Sequence, residues 1–166
     1  MVILGIDPGT ARCGYGLIDE TSGALKLIDC GLIETTPETS DADRLNAIFT
    51  SLNDLIARHR PAAVAVEKLF YGNNSRTAMA VGQARGVILL AAATHGVETA
   101  EYTPVQVKQA VSGYGAADKH QVKAMVKTLL NLKELTGHDD TSDALAIAIC
   151  HAFSRRMVDR IGSAAK

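Results

Sequence analysis

Two short apolar runs in this chain each end in an acidic residue, and this repeated pattern places the strongest constraint on the fold. Residues 2–6 precede Asp7 and a Pro-Gly step, and residues 62–66 precede Glu67. Uninterrupted apolar runs of this length are typical of strands that are covered on both faces. An ionised carboxylate beside a core is costly unless it is paired, hydrogen-bonded or bound to a metal ion. If the two strands are neighbours in one sheet, Asp7 and Glu67 meet at its edge.

The remaining sequence alternates between strand and helix patterns. Residues 2–33 predict three sequential strands joined by tight turns, which is typical of an antiparallel meander. Further predicted elements are strands at 62–66 and 97–102 and helices at 41–60, 75–95, 104–111, 119–130 and from about residue 140 onward. We therefore expect an α/β fold, with a mixed β-sheet flanked by helices.

Length and composition predict one globular domain. The chain has 166 residues, of which 47% are hydrophobic and 21% are charged, as is usual for a single hydrophobic core. We assign residues 1–156 to this domain and residues 157–166 to a flexible C-terminal tail. The longest later apolar stretch, residues 87–93, is far shorter than the roughly 20 residues of a membrane span.

Overall charge and cysteine usage narrow the possible functions. The formal net charge is −1, so a nucleic-acid role cannot rest on overall basicity and requires a local basic patch. Cys13, Cys30 and Cys150 are odd in number and lack metal-ligand spacing. This pattern predicts reduced thiols that pack in the interior of a cytoplasmic protein.

The last predicted helix adds two acids to the pair at the strand ends. Asp140 and Asp143 are spaced i and i+3, so they share one helix face near the N-terminus. Four carboxylates at one point repel one another, and hard divalent cations with oxygen ligands relieve that cost. Two Mg²⁺ ions about 3.5–4 Å apart can hold a scissile phosphate, one activating water and the other stabilising the leaving oxygen. Asp7, Glu67, Asp140 and Asp143 are therefore the predicted catalytic residues and metal ligands for phosphodiester hydrolysis.

Three of these acids also have a simpler explanation when each is taken alone. Asp7 fits a turn in which its carboxylate accepts hydrogen bonds from the amides of Gly9 or Thr10. Asp140 fits a helix N-cap, and Asp143 fits a first-turn acid that the helix dipole favours. The conjunction of the four favours the metal site.

Basic residues are concentrated in one segment of the chain. Between residues 104 and 133, five lysines stand against a single acid, Asp118. Lys119, Lys123 and Lys127 recur at i, i+4 and i+8, which predicts a stripe along one helix face that can follow a phosphate backbone. A solvated helix face is the alternative interpretation.

Two aromatic residues lie in an unusual position for a core. Phe70 and Tyr71 lead into a Gly-Asn-Asn loop, where they are well placed to stack on an unpaired base, although a loop anchor is the alternative. Arg76 and Arg85 add positive charge near Glu67. The predicted DNA-binding residues are Phe70, Tyr71, Arg76, Lys108, Lys119 and Lys123.

Seven segments of the chain resemble the RuvC-type Holliday junction resolvases. They are GIDPGT (5–10), GYG (14–16), VEKLF (66–70), GQARGV (82–87), QVKQAV (106–111), DKHQVKAMVKTLL (118–130) and DDTSDALAIAI (139–149). The resemblance covers about residues 1–156. It implies an RNase H-like fold, a homodimer, and Mg²⁺- or Mn²⁺-dependent nicking of two strands placed symmetrically at a four-way DNA junction. It also implies partnership with a branch-migration motor complex in recombination and repair.

The resemblance also implies roles for particular residues. By position, the catalytic carboxylates of that family match Asp7, Glu67, Asp140 and Asp143. Phe70 matches its junction-stacking aromatic residue. Lys108 and Lys119 match basic residues that serve DNA binding and cleavage.

The chain departs from some members of that family at one site position. Those members carry a histidine where Asp140 stands, so His138 is not expected to inherit that role. His138 and Asp139 either assist with water and outer-shell hydrogen bonds or belong to a polar loop. The Lys68-Leu69 step and the loop at residues 71–74 vary within that family, so we expect the sequence preference of cleavage to vary with them.

Two other functions are compatible with parts of the sequence. A non-catalytic junction-binding module would keep the fold without the chemistry. GIDPGT is similar to the first phosphate-binding turn of actin-like and sugar-kinase ATPases, but those proteins need two such domains and this chain has one copy of the motif. The charge-poor helix at residues 81–93 is the candidate for part of the dimer interface, and burial on its own sheet would explain its composition equally well.

Overall fold

The structure, a computed structural model, describes residues 1–68, 75–135 and 137–164, and the side chains of these residues except at 75–77 and 159–164. The described residues form one β-sheet with helices on both faces, which confirms the predicted α/β architecture. Within these ranges, none of the helices is both long and apolar enough to cross a membrane.

The sheet combines antiparallel and parallel pairing. Its strands are β1 (Val2–Asp7), β2 (Arg12–Thr21), β3 (Ala24–Glu34), β4 (Ala63–Glu67) and β5 (Glu98–Tyr102). The strand order is β3-β2-β1-β4-β5. β1, β2 and β3 form the predicted antiparallel meander, while β1 pairs parallel to β4, and β4 pairs parallel to β5. The two acid-terminated strands are therefore neighbours.

Helices cover the two faces of the sheet unequally. They are α1 (Asp41–His59), α2 (Ser75–Thr94), α3 (Pro104–Ser112), α4 (Lys119–Leu129) and α5 (Asp139–Ala164). One apolar cluster joins α1 and α2 to Leu4, Ile6 and Val66 on the first face. A second cluster joins α3, α4 and α5 to Ile3 and Ala65 on the other. Since strand side chains alternate between faces, Asp7 and Glu67 share the α5 face with Ile3 and Ala65.

The shorter helices begin at well-defined residues. Thr103 and Gln106 form a reciprocal capping box at the start of α3, and Asp118 and Gln121 form another at the start of α4. Each box satisfies two backbone amides that have no partner within the helix, which stabilises the helix start. These caps fix the starts of the two helices that carry Lys108 and Lys119.

The last helix lies directly on a strip of glycines. A Cβ added at Gly5 would overlap the Ala144 carbonyl oxygen and lie 2.6 Å from the Ala148 nitrogen. Cβ atoms at Gly14 and Gly16 would likewise overlap Asp140 and Leu145. Only residues without a side chain allow the backbone of α5 to come this close to β1 and β2.

The helix after this contact is buried, as its charge-poor sequence predicts. From Ala144 to Ala152, every side chain is at most 3% exposed. The helix continues to Ala164, past residue 156, at which the predicted domain ends. Consecutive residues without Gly or Pro from Asp139 to Ile161 allow this continuation. The flexibility of residues 157–166 stays a prediction.

We expect Gly5→Ala to lower the free energy of unfolding by about 2–3 kcal/mol, because its methyl group must push α5 away from β1. Gly86→Ala is the matched control, since nothing lies within 4 Å of a Cβ at that exposed helical position. There, alanine should stabilise the protein by up to about 1 kcal/mol through helix propensity. Chemical denaturation of both variants measures the difference, and equal effects would contradict the close approach.

Candidate active site

The carboxyl ends of β1 and β4 open into a cleft beside the N-terminus of α5. The cleft has a volume of about 330 Å³. Its lining consists of Asp7, Glu67, Pro104, Val107, Lys108, Lys119, Val122, Asp140, Asp143, Ala146 and Ile147. The structure therefore brings all four predicted acids together, with two of the predicted lysines.

Strand register places the first two acids side by side. Ile6 pairs with Val66 in the parallel β1–β4 ladder, so the next residues, Asp7 and Glu67, end the two strands at the same edge. Among the hydrogen bonds of the described residues, none joins the Asp7 carboxylate to the amides of Gly9 or Thr10. The turn explanation for Asp7 is therefore not supported.

The first turns of α5 supply the other two acids. The helix begins at Asp139, so Asp140 lies in its first turn and is not its N-cap. Gly14 in β2 allows the backbone at Asp140 to approach the sheet. Because Gly14 pairs with Asp7, the start of α5 lies beside the end of β1. Asp143 follows one turn later on the same side.

Burial and repulsion make Asp7, Glu67 and Asp143 hard to ionise. Burial, followed by the charges of Glu67, Asp143 and Asp140, raises the pKa of Asp7 from 3.8 to about 7. Burial is also the largest cause of the raised pKa values of Glu67 and Asp143. The grouping is therefore unfavourable for the folded chain by itself, and positive charge in the cleft would offset the cost.

Positive side chains surround the acids. The Arg12 Nε atom lies 3.4 Å from Asp140 Oδ2, and the Lys119 Nζ atom lies 3.5 Å from Asp143 Oδ2. The negative charge of Asp143 is the largest cause of the raised pKa of Lys119. Two of the four acids thus already have cationic partners. Over the described ranges, no group of three or more His, Cys, Asp or Glu side chains is arranged to hold a metal ion.

The remaining predicted residues have different outcomes. Lys123 lies beside the cleft, with its Nζ atom 3.3 Å from Asp139 Oδ1, and that contact is the first cause of the lowered pKa of Asp139. Arg85 instead forms a half-buried ion pair with Glu101, on the face of the sheet away from the cleft. His138 is exposed and accepts a backbone hydrogen bond from Thr141 through its carbonyl oxygen.

The side chains of three predicted DNA-binding residues lie outside the part of the chain that the structure describes. Phe70 and Tyr71 lie outside the described residues, and the side chain of Arg76 is likewise outside them. Their roles stay predictions.

Sequence reasoning missed one charged residue and one apolar wall of the site. Arg12 opens β2, only five residues after Asp7, and this position on the strand expected to pair with β1 was an available signal. Val107 and Val122, from α3 and α4, form the apolar wall. Nothing in the local sequence marks these two valines as part of a site, since only the packing of α3 and α4 brings them beside the acids.

A mixed sheet in this strand order, with carboxylates grouped between β1, β4 and the last helix, defines the class of nucleases with an RNase H-like fold. Residues 3–151 match the family model of the crossover junction endodeoxyribonuclease RuvC. The chain belongs to this family. It is therefore a DNA endonuclease of recombination and repair that resolves four-way junctions, and the match favours neither the ATP-binding alternative nor the non-catalytic one.

Individual relatives agree with this assignment along nearly the whole chain. Identity to the RuvC of Heliobacterium modesticaldum is 58% over 154 residues, which is 93% of this chain and 95% of the relative. Identity to the RuvC of Roseiflexus sp. is 51% over 158 residues, which is 95% of this chain and 94% of the relative. The Thermus thermophilus RuvC structure in complex with Holliday junction substrate is similar with a TM-score of 0.91 and 39% identity, over 95% of this chain and 96% of that chain.

We expect Asp7→Asn to stabilise the protein at pH 8 when divalent cations are chelated, and to do so less at pH 5. The Asp7 pKa rises from 3.8 to about 7 on folding, so the folded state favours the protonated acid. The stabilising effect of protonating Asp7 is complete below pH 3.8 and is lost as the pH rises through about 7. Above that pH, the charged acid costs the folded state up to about 4 kcal/mol.

Chemical denaturation at the two pH values measures this difference. Asp54→Asn changes an exposed acid of α1 and serves as the control, for which no pH-dependent gain is expected. An equal gain for Asp7→Asn at both pH values would contradict the raised pKa.

Proposed function

We propose that Asp7, Glu67, Asp140 and Asp143 are the catalytic residues and that they hold divalent cations, two per site. Mg²⁺ is the proposed cation, and Mn²⁺ can substitute. The observation that carries the proposal is that acids from three separate elements line one cleft, where burial and repulsion raise the pKa of Asp7 to about 7.

The donor set fits hard divalent cations. All four side chains offer carboxylate oxygens, which suit Mg²⁺ and Mn²⁺ better than softer metals. The same carboxylates already attract positive side chains, since Arg12 pairs with Asp140 and Lys119 pairs with Asp143. Those contacts must loosen when a metal ion binds, so cation binding rearranges the charges that the site already contains.

When bound, the cations supply an activated water and stabilise the leaving oxygen of the phosphodiester. The protein's part is to position the groups. Asp7 and Glu67 are held by paired strands, which keeps their separation constant. Lys119 is 70% exposed and only weakly held by Asp143, so its Nζ can move to a phosphate oxygen. Lys108 lines the same cleft and adds positive charge where the DNA backbone would lie.

We propose further DNA contacts outside the cleft. Lys123 extends the positive charge of α4 beyond Lys119, which supports a backbone track along this helix. Phe70, Tyr71 and Arg76 are proposed to contact the junction from the segment after β4. Support for these three comes from the sequence and the family resemblance.

The functional unit is proposed to be a homodimer that works with a branch-migration motor complex in the cytoplasm. Two symmetric cuts require two sites, and a two-fold dimer presents them to a pseudo-symmetric junction. On α2, Ala84 and Ile88 pack on the sheet, whereas Met79 is 71% and Leu90 57% exposed. One side of this helix is thus buried in its own core and another is available to a second copy.

We expect the protein to make paired, symmetric nicks in a synthetic four-way junction and none in a linear duplex of the same sequence. Chelation of divalent cations should abolish cutting. Asp7→Asn should reduce the cleavage rate by at least about 10³-fold, since it removes part of a charge-stabilising site worth several kcal/mol. Junction affinity should change by less than about threefold, because the removed carboxylate repels the DNA backbone and makes no attractive contact with it.

Gel analysis of cleavage and a mobility-shift assay of binding measure the two effects separately. Asp54→Asn is the matched control, with an exposed acid far along α1. If Asp7→Asn still cut the junction at the parent rate, the proposed metal site would be wrong. Tight binding by the parent without cutting in either Mg²⁺ or Mn²⁺ would instead support the non-catalytic module.

We expect Phe70→Ala to slow junction resolution by at least about tenfold and to change duplex binding less than twofold. Stacking on an unpaired base is worth about 1–3 kcal/mol, and a fully paired duplex offers no such base. Phe70→Tyr keeps the ring and should retain the parent rate. Single-turnover cleavage and duplex affinity decide the point, and equal losses on both substrates would remove the stacking role.

A further inference from the structure

Arg12 is a charged residue of the cleft rim to which the proposed chemistry gives no role. We propose that Arg12 binds a phosphate of the DNA backbone, and that Asp140 holds its guanidinium until that carboxylate takes up a divalent cation. The proposal rests on the proposed function, because Asp140 must act as a metal ligand for the exchange to occur.

The position of Arg12 places it across the cleft from the lysines. Arg12 opens β2, and the strand order β3-β2-β1-β4-β5 puts β2 on the opposite side of the β1–β4 pair from β5. Lys108 lies on α3, which follows β5 directly. A phosphate beside Asp7 and Glu67 would therefore have lysines on one side and Arg12 on the other.

The contact between Arg12 and Asp140 leaves most of the guanidinium available. The Arg12 Nε atom lies 3.4 Å from Asp140 Oδ2, and the Arg12 side chain is 53% exposed. This is the single ion pair that Arg12 makes within the described part of the chain. A guanidinium has five N–H donors, so the terminal nitrogens can still form a bidentate contact with a phosphate. A half-exposed pair of this kind contributes little stability and is readily exchanged.

Charge balance gives the exchange its direction. A carboxylate oxygen that binds a metal ion no longer offers the same charge to Arg12, so the guanidinium loses its partner. The arriving DNA supplies a new anion at the same rim. Arginine suits this role better than lysine, because its planar fork matches two phosphate oxygens. The Asp140 contact thus holds Arg12 near the cleft before DNA arrives.

The first test is the salt dependence of junction binding. Arg12→Gln, Arg12→Lys and Arg155→Gln are compared with the parent protein. Arg155 is a suitable control because it also forms an ion pair, 3.0 Å from Glu98, and is 43% exposed on α5. Binding is measured by fluorescence anisotropy between 50 and 200 mM salt, with Ca²⁺ as the cation and the junction confirmed to be uncut.

Arg12→Gln should reduce the slope of log K against log salt by about 0.9 for each protomer that engages the junction. Its loss of affinity should therefore be about 3.5-fold larger at 50 mM than at 200 mM salt for each such contact. Arg12→Lys should keep the parent slope, because it keeps the charge, and Arg155→Gln should keep it as well. An unchanged slope for Arg12→Gln would overturn the phosphate contact.

The second test is Mn²⁺ binding without DNA, measured by calorimetry. Arg12→Gln should bind Mn²⁺ about two- to fivefold more tightly, because Asp140 no longer has a competing cation. Arg12→Lys and Arg155→Gln should stay within twofold of the parent. Unchanged Mn²⁺ affinity in Arg12→Gln would overturn the exchange with Asp140.

The same experiments separate this inference from the proposed function. Failure of the proposed function would appear as parent cleavage that survives chelation or Asp7→Asn. If Arg12 alone is wrongly assigned, cleavage stays cation-dependent and sensitive to Asp7→Asn, while the salt slope and Mn²⁺ affinity of Arg12→Gln match those of the parent.

Discussion

The close approach of α5 to the glycine strip of β1 and β2 is the contact on which the rest of the structure depends. Gly5, Gly14 and Gly16 leave no side chain between the strands and the helix backbone. The run from Ala144 to Ala152 is then buried between the sheet and α3 and α4. Apolar burial of this helix contributes the free energy that keeps its first turn, with Asp140 and Asp143, beside the end of β1.

This packing maintains an electrostatic arrangement that the acids alone would not form. Burial, followed by repulsion, raises the pKa values of Asp7, Glu67 and Asp143. Arg12 and Lys119 reduce part of that repulsion by pairing with Asp140 and Asp143. A site of this kind is ready for cations, because every positive charge that enters it lowers the cost of keeping the carboxylates ionised. Strongly perturbed pKa values of this kind are concentrated at functional sites.

Much of the fold and the core of the site could be predicted because the signals are local. The element order and the placement of Asp7 and Glu67 at strand ends follow from hydrophobic periods and from the acids that end two apolar runs. The i, i+3 spacing of Asp140 and Asp143 likewise needs only helix geometry.

The sequence by itself therefore determined the mixed α/β architecture, the four acids and the basic segment around Lys108 and Lys119. Only the tertiary structure decided that Arg12 meets Asp140 and that the glycines of β1 and β2 face α5. The physical reason is distance along the chain. A hydrophobic period or a helix cap depends on residues that are close together in the sequence. A contact between residues 12 and 140 depends on how the sheet and the last helix pack together.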